Sequence, residues 1–304
     1  VLEIAGLHLR DVMIIHRLQG PLPLMYLAYA VWGVSFGIGD FRALLSVPAL
    51  AAVVANLFLI CGGLVLNTAV DLATDQRHAG KKDLAHAGRR VGRRGALCWA
   101  VGELSAGLLV ALIATIASGY WLPVVCAAVI VLLHVLYNVE PIRLKHRGFI
   151  GAVCFAAGLP TVPSLLSYSS VHSGLETTAL VTFAGLGILT VGRTAWWSVP
   201  DHQPDREAGA RTAAVRYGIA RATATACAIM TTGLVIAGTV MGLHYGPIKM
   251  LISLAPHLIV LGAALRPLMN GTRAVPTMRS MRRQTIPLVT LGEVLIAALP
   301  LATL

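Results

Sequence analysis

Four of the thirteen acidic residues in this 304-residue chain fall into two pairs whose spacing suits metal chemistry. In the run Asn67-Thr-Ala-Val-Asp71-Leu-Ala-Thr-Asp75, residues 67, 71 and 75 recur every fourth position, so a helix carries all three on one face. Two carboxylates at that spacing repel each other unless a cation lies between them. An all-oxygen set favours a hard ion such as Mg²⁺. The spacing returns in Asp201-His-Gln-Pro-Asp205-Arg206-Glu-Ala-Gly209-Ala-Arg211-Thr212, although Pro204 disfavours helical geometry in the residue before it. Mg²⁺ is usually held by one or two carboxylates plus phosphate oxygens, so two such clusters face to face would hold a diphosphate between bound metals. Arg77, Lys81, Lys82, Arg206 and Arg211 stand close by in sequence. They are expected to contact the diphosphate and stabilise it as a leaving group.

The elements that position these residues must lie in lipid. The chain is 57% hydrophobic and 12% charged, with a mean hydropathy of +0.77, which excludes an ordinary soluble fold. With about 20 apolar residues needed per crossing, spans are expected near 18–38, 45–70, 96–118, 120–138, 149–168, 177–199, 222–243, 248–267 and 285–304. The expected class is an all-α polytopic membrane protein with nine transmembrane helices. The first sixteen residues carry Glu3, Arg10 and Asp11, which suit an amphipathic surface helix better than a cleaved signal peptide.

A net charge of +11 on a soluble protein would suggest nucleic-acid binding. Here 22 of the 24 basic residues map to one side of the expected topology, leaving Arg42 and Lys249 on the other. That split places the N-terminus and the Asp-rich loops in the cytoplasm and the C-terminus outside. No nucleic-acid partner is expected; the bilayer is. The positive-inside rule alone accounts for Arg89, Arg90, Arg93 and Arg94. Twenty arginines against four lysines suggest a GC-rich bacterial source. Cysteines 61, 98, 126, 154 and 227 lie in apolar stretches without a C-x-x-C pair, so neither disulfides nor a zinc site is expected.

These motifs resemble the UbiA superfamily of intramembrane prenyltransferases. The resemblance rests on Asn67, Asp71 and Asp75; on Asp201, Asp205, Gly209 and Thr212; and on Tyr137-Asn-Val-Glu-Pro141-Ile-Arg143-Leu-Lys145-His-Arg147-Gly148. It covers essentially the whole chain, residues 1–304, as a single transmembrane domain. It implies nine helices around a central cavity capped by cytoplasmic loops, and Mg²⁺-dependent ionisation of an isoprenyl diphosphate. On that basis Asn67, Asp71, Asp75, Asp201 and Asp205 are expected as metal or diphosphate ligands, the four aspartates as the catalytic set, and Tyr137 and Lys145 as substrate contacts. The chain departs from many members in having Thr68 for an Asp and Glu140 for a Pro.

An allylic cation needs a dry chamber below a charged mouth, and aromatic faces can stabilise it. Trp196 and Trp197, just before Asp201, suit either that role or an interfacial belt; Trp197 and Arg193 are expected to contact substrate. Tyr120 and Trp121 suit the outer belt. Glu103, His134, His257 and Glu293 lie inside spans, either as functional groups or as interhelical hydrogen-bond partners. The leading expectation is prenyl transfer to an aromatic or other lipophilic acceptor. A terpene cyclase of the same superfamily would share the Asp-rich machinery. A transporter would instead show an inverted repeat and polar groups at mid-membrane.

Overall fold

Lipid offers the backbone no partner, so apolar segments must satisfy their own N–H and C=O groups as helices. The computed structural model describes residues 3–4, 7–76, 79–207, 209–270 and 277–304. Glu3–Ile4 pairs with Leu7–His8 in a minimal antiparallel ladder, and the rest is helical. The helices are α1 (Leu9–Ile15), α2 (Leu22–Gly37), α3 (Val47–Asp75), α4 (Lys82–Ser118), α5 (Leu122–Asn138), α6 (Phe149–Ala156) and α7 (Val162–Val171). They continue with α8 (Thr177–Trp197), α9 (His202–Glu207), α10 (Ala213–Tyr217), α11 (Ile219–Tyr245), α12 (Pro247–Met269) and α13 (Met278–Leu301).

Among the described residues, seven helical segments are long and apolar enough to cross a membrane. Two shorter apolar helices, Leu22–Gly37 and Leu122–Asn138, lie where the other two spans are expected. The chain is a multi-pass, all-α membrane protein. α6 and α7 form one such segment through a turn of π geometry at Ala157–Thr161, around Pro160, which has no N–H to donate.

Local sequence sets the ends. Ser46 caps α3 by accepting from the Ala49 N–H, and Thr277 caps α13 by accepting from Ser280. α3 runs five residues past the expected end of its span, so the whole Asn67–Asp71–Asp75 set is helical. Within α4, Gly92 adopts φ 74° and ψ 156°, a conformation glycine takes at little cost. The basic stretch 82–91 is thereby set off from the apolar stretch that crosses the membrane.

The bundle closes on itself: α2 packs on α13, and α13, α12, α11 and α8 pack in succession. α8 then meets α6, the α6–α7 segment meets α5, and α5, α4 and α3 lead back to α2. Small residues allow these approaches, as is usual where lipid gives apolar side chains no reason to associate. The α2–α7 crossing is the tightest. A Cβ at Gly33 would run into the Ser164 carbonyl oxygen and the Tyr168 backbone nitrogen. α1 does more than rest on a surface: Ile14 and Ile15 are buried, and fully buried Asp11 pairs with Arg90 of α4.

Gly33→Ala should therefore cost about 1–3 kcal/mol through overpacking. A thermal melt in detergent should show a midpoint several degrees below wild type; an unchanged midpoint would contradict the tight crossing.

Candidate active site

The last turns of α3 place Asn67, Asp71 and Asp75 at one end of the bundle. Asp71 Oδ1 accepts from Lys145 Nζ at 2.6 Å and from Arg143 Nη2 at 2.9 Å. Its other oxygen accepts from Asn67 Nδ2 at 3.1 Å. Asn67 also donates to Asn138 Oδ1 (2.8 Å) and accepts from Arg17 Nη2 (2.6 Å). Asp75 pairs with Lys81 at 2.8 Å. The first Asp motif and the loop after α5 thus converge through Arg143 and Lys145.

The second motif starts beyond α8. Val199–Asp201 form a 3-10 turn leading into α9, and Pro204 sits in the first turn of that helix, where a missing N–H breaks no bond. Two residues join the motifs electrostatically. Tyr137 feels the charges of both Asp71 and Asp205, and Arg282 of α13 those of both Asp75 and Asp201. The Arg211 N–H donates to the His146 carbonyl at 3.0 Å, tying the segment after α9 to the 137–148 loop. Both Asp pairs therefore lie within electrostatic reach of the same two side chains, Tyr137 and Arg282, at the polar mouth of the bundle.

The sequence profile of the UbiA prenyltransferase family matches residues 24–284. The chain belongs to this family. Among characterised relatives, a lycopene elongase/hydratase of Haloarcula japonica is 28% identical over 66% of this chain and 66% of its own length. One of Halobacterium salinarum is 29% identical over 68% and 72%. The fold matches solved UbiA homologues of Archaeoglobus fulgidus at 15% identity. The one bound to DMAPP and Mg²⁺ superposes with a TM-score of 0.74, covering 96% of this chain and 98% of that one, and the one bound to GPP and Mg²⁺ with 0.71.

Several residues of this UbiA mouth escape sequence reasoning. Arg17, Asn138, Arg143 and Arg282 all reach it, yet Arg17 and Arg282 fit the positive-inside count equally well. Arg17 (φ 56°) and Arg143 (φ 38°) are the two non-glycine residues with positive φ among those described. Both spend this uncommon backbone conformation on holding the first Asp motif, a pattern typical of functional sites. Spacing carries no sign of it. Thr68, at a position where many UbiA proteins have Asp, points away from the mouth and donates to the Leu64 carbonyl at 3.1 Å.

The structure corrects other expectations. Arg193 does not open toward substrate: it is 2% exposed and bonds Glu293 Oε1 (2.6 Å), the Tyr29 hydroxyl (2.7 Å) and Thr190 (3.2 Å). Tyr29 in turn donates to Glu293 at 3.0 Å, Trp32 donates to the Glu293 carbonyl, and His257 lies 3.7 Å from its carboxylate. Glu293 and His257 are thus parts of one deep network joining α2, α8, α12 and α13. Trp197 donates to Thr285 and has the Arg193 guanidinium 5.3 Å above its ring, while Trp196 is core. Glu103 is held by His16 at 2.7 Å, and the His134 ring packs against Gly63. Lys82 and Arg206 are exposed on the rim, and Arg77 lies outside the described residues.

The donor set fits Mg²⁺. Among the described residues no group of three or more His, Cys, Asp and Glu side chains is placed to hold a metal ion by itself, and Mg²⁺ commonly completes its shell with phosphate oxygens and water. Asn67, Asp71, Asp75, Asp201 and Asp205 offer the required oxygens. Burial pushes the Lys145 ammonium down to about 8, against the pull of Asp71. Burial, with Arg143 and Lys145 nearby, also lowers His146.

His16 shows the opposite balance. Burial would lower its pKa, but the Glu103 hydrogen bond and charge raise it above the usual 6.5. Its contribution to stability is full below 6.5, its unfolded value, and is lost as pH rises through the folded value. Wild-type protein should therefore lose thermal stability as pH is raised from about 6 to about 8. A His16→Gln variant should show a flatter profile, and parallel profiles would refute this role.

Proposed function

We propose that the chain ionises an isoprenyl diphosphate at this mouth with Mg²⁺ and transfers the prenyl group to a lipophilic acceptor. The observation that carries the proposal is that Tyr137 and Arg282 each feel one aspartate of both Asp pairs, which supports one basic mouth above an apolar helical bundle. Family membership and the ligands of the solved homologues support the donor class. Relatives named for lycopene favour a lipophilic acceptor, aromatic ones remaining within that class.

Each residue then has a physical task. Lys145, Arg143, Arg17 and Arg282 supply charge-assisted hydrogen bonds to the diphosphate oxygens as negative charge grows on the leaving group. Tyr137, within electrostatic reach of Asp71 and Asp205, donates its hydroxyl to the same oxygens in this reading. Lys81 and Arg211 complete the basic border, with Lys82 and Arg206 outermost. Bound Mg²⁺ supplies neutralisation of the diphosphate charge. Below the mouth, Tyr26, Leu64, Leu159 and Trp196 form a packed apolar interior that excludes water from the cation. The mouth faces the cytoplasm, on the basic side of the membrane.

Purified protein in detergent, given Mg²⁺ and donors of increasing length without acceptor, should slowly release diphosphate, and added lipophilic acceptors should speed the release. Cyclic hydrocarbons would instead establish a cyclase. Absence of release with every donor would overturn the proposal. Asp71→Ala and Asp201→Ala should each lower turnover by about a thousandfold or more while preserving the elution profile of the folded protein. Arg17→Gln should raise the donor KM roughly tenfold or more, since a hydrogen bond to a charged group is worth about 1.5–3 kcal/mol.

A further inference from the structure

Beyond the mouth, the same end of the bundle holds a separate cavity of about 490 Å³, walled by the 140–150 loop and by residues 209–216. Its lining includes Arg143, His146, Arg147, Arg211 and Arg216, with Glu140 as its one acid. None of the four motif aspartates lines it. Topology explains basic residues in loops, but not why two loops distant in sequence bring four arginines to one concavity.

The lining is built rather than merely charged. The Arg147 side chain donates to the Pro141 carbonyl (3.1 Å), and the backbone N–H of Arg211 donates to the His146 carbonyl, which ties the two loops together. Arg216 lies 5.3 Å over the Tyr217 ring. The Glu140 carboxylate, the one acid of the lining, is engaged by Arg143 Nη1 at 3.0 Å and so takes up part of a guanidinium that an anion would otherwise meet. Burial lowers His146, and Arg143 and Lys145 beside it lower it further. Arg143 is the shared wall: Nη2 holds Asp71 in the mouth while the same side chain lines the cavity.

We propose that this cavity is a binding site for a phosphate-class anion. Planar guanidinium groups from two loops match phosphoryl oxygens, and several on one concave wall suit a multiply charged ligand better than a single carboxylate. Two sources offer this chemistry: the inorganic diphosphate leaving the mouth past Arg143, and the headgroup of an acidic phospholipid at the membrane surface. The first source rests on the proposed reaction. The second does not.

The test uses the full chain without donor or Mg²⁺, so the result does not depend on turnover. Calorimetric titration with inorganic diphosphate is compared between wild type and the double variant Arg147→Gln/Arg216→Gln, neither residue belonging to the mouth. A parallel arm measures retention of phosphatidylglycerol against phosphatidylcholine in nanodiscs. The double variant should weaken diphosphate binding about tenfold to a hundredfold, or lose phosphatidylglycerol retention, while leaving donor KM and kcat unchanged. Whichever arm responds names the source. Glu140→Gln should change the same binding in the opposite direction, which structural damage would not do. Undiminished binding of both ligands by the folded double variant would overturn the proposal. If wild-type protein binds diphosphate in this way but turns over no donor, the reaction fails and the site stands.

Discussion

A carboxylate at the end of a lipid-embedded helix needs positive charge close to it, and Asp71 receives that charge from outside its own helix. Lys145 and Arg143 both bond Asp71 Oδ1, which fixes the loop after α5 over the end of α3. Asn67 and Asn138 complete the seam, and Arg17 extends it to the segment leading out of α1. Arg282 and Tyr137 then relate this seam to the second Asp pair. The closed ring of helices matters here because α2, α3, α5, α8 and α13 each bring or adjoin a participant, and none can shift without moving a charge away from its partner.

Much of this was legible in the sequence where a period or a charge asymmetry recorded it. Asn67, Asp71 and Asp75 repeat every four residues because one helical face must present them, and α3 does so. The second set, Asp201 and Asp205, was readable by spacing despite Pro204, because proline is tolerated in the first turn of a helix. Apolar runs announced the spans, but their ends were less exact: α3 keeps its helix through Asp75 although its last turns are polar.

What the sequence could not show was pairing between distant residues. Arg17 and Asn67 meet across fifty positions, and Arg193 and Glu293 across a hundred. Arg193 precedes Trp197 by four residues and Asp201 by eight, which in sequence groups it with the second Asp motif. Its partner lies on the last helix, and a buried ion pair is satisfied by contact rather than by proximity in the chain. Thr68 is the converse case: it lies beside a ligand in sequence, but the helix turns it about 100° away from the face bearing Asn67.

The deep ion pair also bears on how the protein is made. α8, carrying Arg193, precedes the helix that carries Glu293 by roughly eighty residues of chain, so during synthesis it enters the bilayer before its counter-charge exists. An unpaired arginine in that setting is costly. Arrival of α13 removes the penalty and brings Arg282 to the mouth in the same movement. Final assembly of the bundle and completion of its reactive end thus become one event, so a chain truncated before its last helix would lack both.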